Sequence, residues 1–266
     1  MRLASGSLLG LIVIAALLAI VWTPHPVDGF DMANRFAGST AAHPLGTDQY
    51  GRDILSMLMA GARTSLGVAA GAVAIGVGFG VPLGLAAVSL GRRGETVVML
   101  AGDIVFAFPA LIVAAMLTTF HGPGAGKALV AIGIFYIPVF MRLTAAAARR
   151  VLSLEFVDAA RLAGKGRTRI AVEHVAPLVL PIILTQAATQ FAVAILIEAG
   201  LSYVGLGAQA PAVSWGRMLA EAQTLMVLAP QLAVWPGVAI MLTVLAATTF
   251  GEALNRHLDP RFTGRA

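Results

Sequence analysis

Residues 64–90 read TSLGVAAGAVAIGVGFGVPLGLAAVSL, a run without a charged side chain. A helix needs about 20 apolar residues to cross the hydrocarbon core of a bilayer, and this run exceeds that length. Within it Gly67 and Gly71 are four residues apart, as are Gly76 and Gly80, and Gly80 and Gly84. Small residues at this spacing let helix backbones approach closely in lipid. The first reading is packing inside the chain, the second a seam with another chain. Pro82 predicts a kink near the end of the run.

Five more apolar blocks lie outward of this one, at 8–23, 96–120, 127–148, 178–199 and 230–250. Pro109 and Pro138 fall inside two of them and predict further kinks. The chain is 58% hydrophobic and 12% charged, against about 25% charged residues in a soluble domain. So few charges cannot cover a water-facing surface. The sequence therefore predicts an all-α, polytopic membrane protein with six transmembrane helices. The first block follows Arg2 as a signal peptide would, but Trp22 to Pro26 offer no small-x-small cleavage site. It is read as a retained helix, with a removed signal as the other reading.

The charges orient the spans. With the N-terminus inside, six crossings return the C-terminus inside, and 13 of the 18 Lys and Arg residues fall on inner segments. Only Arg35, Arg52, Arg63, Lys127 and Arg217 fall outside. Cationic loops resist translocation, so the opposite orientation is disfavoured. The net charge of +5 is explained by this asymmetry without nucleic acid. The polar island at 149–174 is then cytoplasmic, and the stretch 24–63 faces outside.

Several chemistries are missing. There is no cysteine, which excludes disulfides and thiolate-bound metals. The histidines, His25, His43, His121, His174 and His257, form no His-Glu-x-x-His motif, and no metal site is expected. The run from His121 to Lys127 looks like a phosphate loop but lacks its first glycine, and Ala128 stands where Ser or Thr would hold magnesium. No ATP site is expected on this chain. Asp103 and Glu198 are the acids inside the spans. Acids in lipid are costly and mark function or a buried pair. Both readings stand for these two, and they are too isolated for a catalytic dyad. A stand-alone secondary transporter would show inverted repeats and midplane charges, and neither is evident.

The island at 149–174 carries more. Ser153 is placed to cap a helix starting at Leu154, with Glu155 complementing its positive end. Leu154, Val157 and Ala160 recur at helical spacing, flanked by Asp158 and Arg161. Gly164 and Gly166 end the helix, and a second short helix is expected from Thr168, ending before Pro177. This shape suits a groove on a partner protein, and it also suits a solvated basic loop at the membrane border. The residues alone do not choose.

A resemblance does. Asp158-Ala159-Ala160, Gly164, and His174-Val175-Ala176-Pro177 resemble the cytoplasmic loop of ABC importer permeases. That family's pattern is Glu-Ala-Ala, three residues, Gly, nine residues, then Ile-x-Leu-Pro. The spacing matches throughout, while Asp158, His174 and Ala176 depart from the family's residues. His43-Pro-Leu-Gly-Thr-Asp48 with Gly51-Arg52-Asp53, and Glu198 to Gly207 with Ser214-Trp215-Gly216, resemble the C-type permeases of dipeptide, oligopeptide and nickel importers. The tail Leu258-Asp259-Pro260-Arg261 resembles theirs too. The resemblance covers about residues 40–262.

It implies a type I ABC importer permease fold. It also implies a non-catalytic subunit in the bacterial cytoplasmic membrane, with both termini inside. The implied partners are a homologous second permease subunit in a heterodimer, two ABC ATPase subunits that bind ATP and magnesium, an extracytoplasmic substrate-binding protein and membrane lipid. The implied cargo is a peptide, with nickel, haem or another small solute as the alternative. The coupling residues implied are Asp158, Ala159, Ala160, Arg161, Gly164, His174 and Pro177, and the outer signature is Gly46, Asp48, Gly51, Arg52 and Asp53. The chain divides into 1–63 (first helix and outer segment), 64–250 (five-helix core with the loop 149–177) and 251–266 (tail).

Overall fold

The computed structural model describes residues 2–108 and 110–258. In chain order its α-helices are α1 (Arg2–Leu18), α2 (Ile54–Ser89), α3 (Gly91–Phe106), α4 (Ala110–His121), α5 (Ala125–Leu152), α6 (Glu155–Leu162), α7 (Arg167–Ile170), α8 (Ala176–Tyr203), α9 (Trp215–Ala222) and α10 (Gln231–Leu258). Among the described residues the only strand-like pairing is an isolated antiparallel bridge between Thr47 and Asp53.

α2 begins where Asp53 caps it. The Asp53 carboxylate accepts from the Ser56 backbone N–H and hydroxyl, both at 2.8 Å. This satisfies one of the amides a helix start leaves open. The helix runs 36 residues, through Pro82, to a turn at Gly91 with φ +79°. α2 is the hub: α5 packs along it most extensively, and α1, α3 and α8 also lie against it. α10 joins α8 and α1 to the bundle, and α9 lies across α8 and α10.

Glycine makes the α2–α5 contact. A methyl group on Gly80 would meet the Ile137 carbonyl oxygen at 2.5 Å, and one on Gly84 would meet that of Met141 at 2.5 Å. At Gly76 it would strike Tyr136 and Phe140. Gly133 returns the pattern from α5, lying against Ile75. In lipid no hydrophobic drive pushes helices together, so close backbone approach and dispersion hold them. Gly67 has open space around it and takes no part.

The six uninterrupted spans expected from hydropathy are not all present. Among the described residues four helices are long and apolar enough to cross a membrane: Ile54–Ser89, Ala125–Leu152, Arg167–Tyr203 and Gln231–Arg256. The first block forms α1, whose apolar part is Gly6–Leu18. The block at 96–120 splits into α3 and α4, broken after Phe106 by a turn at Ala107. α3 has 16 residues, about 24 Å at 1.5 Å per residue, short of the roughly 30 Å core. It spends its first turn on Gly91 to Glu95 and carries Asp103. Pro109, expected to kink this block, lies outside the described residues, as do Asp259 to Arg261 of the tail. Pro82 and Pro138 sit inside continuous helices.

Gly80→Ala is expected to destabilise the subunit by about 1–3 kcal/mol, because the new methyl meets backbone that cannot move aside. Gly78→Ala, which enters open space, is expected to change stability by less than about 0.5 kcal/mol. Thermal unfolding of the purified transporter in detergent distinguishes the two.

Candidate functional site

The loop 149–177 hangs from the C-terminal end of α5. Ser153 does not cap α6 as the sequence suggested. Its hydroxyl donates back to the Arg150 carbonyl at 2.9 Å, finishing α5, and α6 starts one residue later behind Leu154 with no side-chain cap. α6 ends in a glycine motif: the Lys165 N–H bonds the Ala160 carbonyl at 3.1 Å and the Gly164 N–H bonds that of Arg161 at 2.9 Å. This pair of bonds needs a left-handed residue at the turn, and Gly164 supplies it at φ +82°. A side chain there would meet nothing within 4 Å, so the requirement is of the backbone alone.

The expected second helix is also different. The helical run that α7 starts does not end before Pro177. It passes through a wide helical turn at Ala171–Val175 into α8, with Pro177 in the first turn of α8. Proline lacks an N–H and crowds the carbonyl four residues back, and a wider turn at this point relieves both. The loop is therefore a stiff extension of a membrane helix.

Packing and charge fix α6 against that extension. Val157 is fully buried and Ala160 half-buried, while Asp158 and Ala159 are exposed. Asp158 pairs with Arg161 at 2.8 Å in solvent. Lys165 donates to Glu173 at 2.8 Å and contacts His174 Nε2 at 2.9 Å, and Arg169 donates to Glu173 at 2.5 Å. Phe156 meets the His174 ring edge-on, 6.1 Å between centroids. The His174 departure from the family's Ile is thus occupied by contacts to α6. Hydrogen bonds from Lys165 and Arg169 hold the Glu173 carboxyl far below the usual carboxylate range, at about 2. Four large apolar side chains remain uncovered on the loop: Leu154, Phe156, Leu162 and Val172, of which Leu162 is 90% exposed.

The outer signature forms a knot at the other end of the α2–α5 pair. Gly46 and Gly51 take φ of +83° and +76°, turning the chain so that Asp48 accepts from the Tyr50 and Arg52 amides at 2.8 and 2.9 Å. The Arg52 guanidinium bridges Asp48 at 2.6 Å and Glu221 of α9 at 2.8 Å. Burial opposes its charge, but Asp48 and Glu221 outweigh that and raise its pKa. α9 is held further by Trp215, whose indole N–H donates to the Leu58 carbonyl at 3.0 Å. Tight φ values and capping account for Gly46, Asp48, Gly51, Arg52 and Asp53. The long-range partner Glu221 carries no local sequence signal, whereas Trp215 lies in the Ser214-Trp215-Gly216 stretch singled out from the sequence.

The two acids inside the spans are not a pair. Asp103 of α3 is ion-paired to Arg142 of α5, whose guanidinium also lies 4.6 Å from the Phe106 ring centre. Glu198 is fully buried in α8. One of its oxygens accepts from Ser202 at 2.7 Å, the other has no partner among the described residues, and Ser202 in turn accepts from the Ala208 amide. Among the described residues no second acid joins either, and the Ser202 hydroxyl is occupied between Glu198 and the Ala208 amide. His25, His43 and Asp53 place ligand atoms within 4.8 Å of one another. However, His43 bonds Asp53 at 3.0 Å, the other Asp53 oxygen caps α2, and His25 bonds the Ala42 carbonyl at 2.8 Å. This cluster already works as a hydrogen-bonded clasp.

Two outcomes follow from these contacts. The Glu173 pKa is depressed, so its support of the loop is complete above about 4.5 and fades as pH falls toward about 2. Hydrogen-exchange protection of residues 165–175, corrected for intrinsic rates, is expected to drop across that window in the wild type and to show no such step in Glu173→Gln. Arg52→Met leaves Asp48, only 3% exposed, without its cation, and is expected to cost about 3 kcal/mol. Proteolysis of the outer segment should then speed up more than in Arg256→Met.

Against known proteins, the family model described as "Binding-protein-dependent transport system inner membrane component" matches residues 76–264. The dipeptide transport system permease protein DppC of Alkalihalophilus pseudofirmus is 37% identical over 260 residues, covering 96% of this chain and 86% of that protein. The glutathione transport system permease protein GsiD of Pectobacterium atrosepticum is 35% identical, covering 97% and 86%. The nickel transport system permease protein NikC of Escherichia coli K12 is 33% identical, covering 94% and 92%. An inward-facing structure of the MetNI methionine ABC transporter shares the fold, with TM-score 0.65 at 17% identity over 76% of this chain and 96% of that one. The chain therefore belongs to the family of binding-protein-dependent transport system inner membrane components, as a non-catalytic permease subunit of an ABC importer.

Proposed function

We propose that this permease takes up dipeptides or oligopeptides across the bacterial cytoplasmic membrane and is driven through the loop at 153–177. The observation that carries the coupling half is the Gly164 turn. It stiffens α6 against α7 and leaves Leu154, Phe156 and Leu162 uncovered around Asp158. Apolar side chains ringed by charge fit a groove on a partner better than water. Asp158 and Arg161 face that groove, Ala159 and Ala160 allow close approach, and His174 and Pro177 set the far end.

The transporter would pair this chain with a homologous second permease subunit, with the pore between them. Two ATPase subunits, holding ATP and magnesium, would clasp the two loops, and an external binding protein would dock on the outer face near the Gly46 to Asp53 knot. Closure of the ATPases favours one arrangement of the loop, and the stiff α7–α8 connection carries that preference into the membrane. α1 and the α3–α4 pair complete six crossings with the four long helices, both termini inside, as the distribution of Lys and Arg supports. The chain divides at 1–63, 64–250 and 251–266. Asp103–Arg142 and Glu198–Ser202 brace the spans in this scheme.

Peptide is favoured as cargo by the dipeptide and glutathione relatives. Nickel is the second reading, resting on the relative named for it.

The coupling proposal is tested at Gly164. Gly164→Val forces a branched residue into a left-handed conformation, a strain of about 1–2 kcal/mol, with no steric clash to confuse it. ATPase co-purification and uptake should both fall, while Gly164→Asn, which tolerates that conformation, should retain most of each. Normal coupling in Gly164→Val would sink the proposal. Binding of a dipeptide panel and of nickel ions to the partner binding protein separates the two cargoes.

A further inference from the structure

The loop does not close fully onto the bundle. A cleft of about 530 Å³ remains between them, within the range of small-molecule sites. Val88 at the end of α2, Leu152 at the end of α5 and Ile170 of α7 supply apolar wall. Arg161, Lys165 and Arg167 supply three cations, and no acidic side chain lines the cleft.

Two of these cations are spoken for. Arg161 pairs with Asp158 and Lys165 with Glu173. The Arg167 side chain has no hydrogen bond or ion pair among the described residues. Its guanidinium nevertheless crosses the cleft: a methyl group on Gly91 would lie 3.5 Å from an Arg167 terminal nitrogen. Gly91 is the left-handed turn between α2 and α3. An arginine with five donors and no acceptor therefore spans from the loop to the helix pair's end. Its planar fork suits a phosphate better than a point charge would. The segment 149–174 as a whole holds six basic and three acidic residues, so the surrounding field also favours an anion.

Depth narrows the source. Val88 and Leu152 end two membrane-crossing helices, so on the proposed orientation the cleft opens at the inner lipid surface. Basic pockets between membrane helices on that side hold anionic headgroups. We propose that this cleft binds the phosphate group of an anionic phospholipid, with Arg167 as the facing cation and Val88, Leu152 and Ile170 receiving the first acyl carbons. A headgroup there would tie the loop to the α2–α3 turn, so the charge of the membrane would tune how freely the loop moves. The inference rests on the loop facing inward, and lipid retention reports on it whether or not peptide is the cargo.

The test uses the whole transporter in nanodiscs of phosphatidylcholine alone or mixed with phosphatidylglycerol. Native mass spectrometry measures retained phosphatidylglycerol, and hydrogen exchange measures protection of residues 161–171. Arg167→Gln is expected to lower retention about five-fold, the effect of one cation at an anionic surface. Arg167→Lys should recover part of it. Arg150→Gln, which lies outside the cleft, should stay near wild type. If inorganic phosphate in pure phosphatidylcholine protects the loop, and Arg167→Gln abolishes that protection, the phosphate site stands and its source is soluble. Retention that is unchanged in Arg167→Gln, or lowered equally in Arg150→Gln, with no protection by phosphate, overturns the proposal.

Discussion

Everything in this subunit hangs on how closely α2 and α5 can approach. In water, burying leucine would join two helices. In lipid, leucine gains nothing by leaving the acyl chains, and association depends on contact geometry. Gly76, Gly80 and Gly84 remove side chains along one stripe of α2, and the α5 backbone at Ile137 and Met141 fills the space. The pair becomes one rigid body through the membrane.

That rigid body carries a polar assembly at each end. The N-terminal end of α2 carries the Asp53 cap, the Asp48–Arg52–Glu221 bridge and the Trp215 anchor. The C-terminal end of α5 carries α6 and the Gly164 turn. The loop hangs from the same helix pair that supports the outer knot. Buried Glu198 and the Asp103–Arg142 pair lie between, tying α8 to its own outer turn and α3 to α5.

Legibility differed from element to element. Gly164 was readable because a left-handed turn after a helix leaves few choices of residue. Asp53 was legible only as part of the outer signature, although capping acts over just three residues, because α2 starts at Ile54, ahead of the apolar run. Ser153 misled: a hydroxyl beside two helices can serve either, and whichever carbonyl lies nearer takes it. The wide turn at Ala171–Val175 was hidden, because Pro177 signals a helix end in sequence, and only the continuation into α8 reveals the accommodation. The break after Phe106 was hidden too, since hydropathy averages over a window and passes smoothly across a turn.

By itself the sequence determined the solvent of this protein, its long helices and the places where backbone had to bend, because those follow from apolar run length and from the intrinsic limits of glycine and proline. It also carried the spacing of the loop, which requires no knowledge of what lies opposite. Only the tertiary structure decided which glycines meet a backbone, which cation is paired and which is free, and that Arg167 reaches Gly91 across a cleft. Those outcomes depend on groups far apart in the chain, and no local propensity encodes a distance between them.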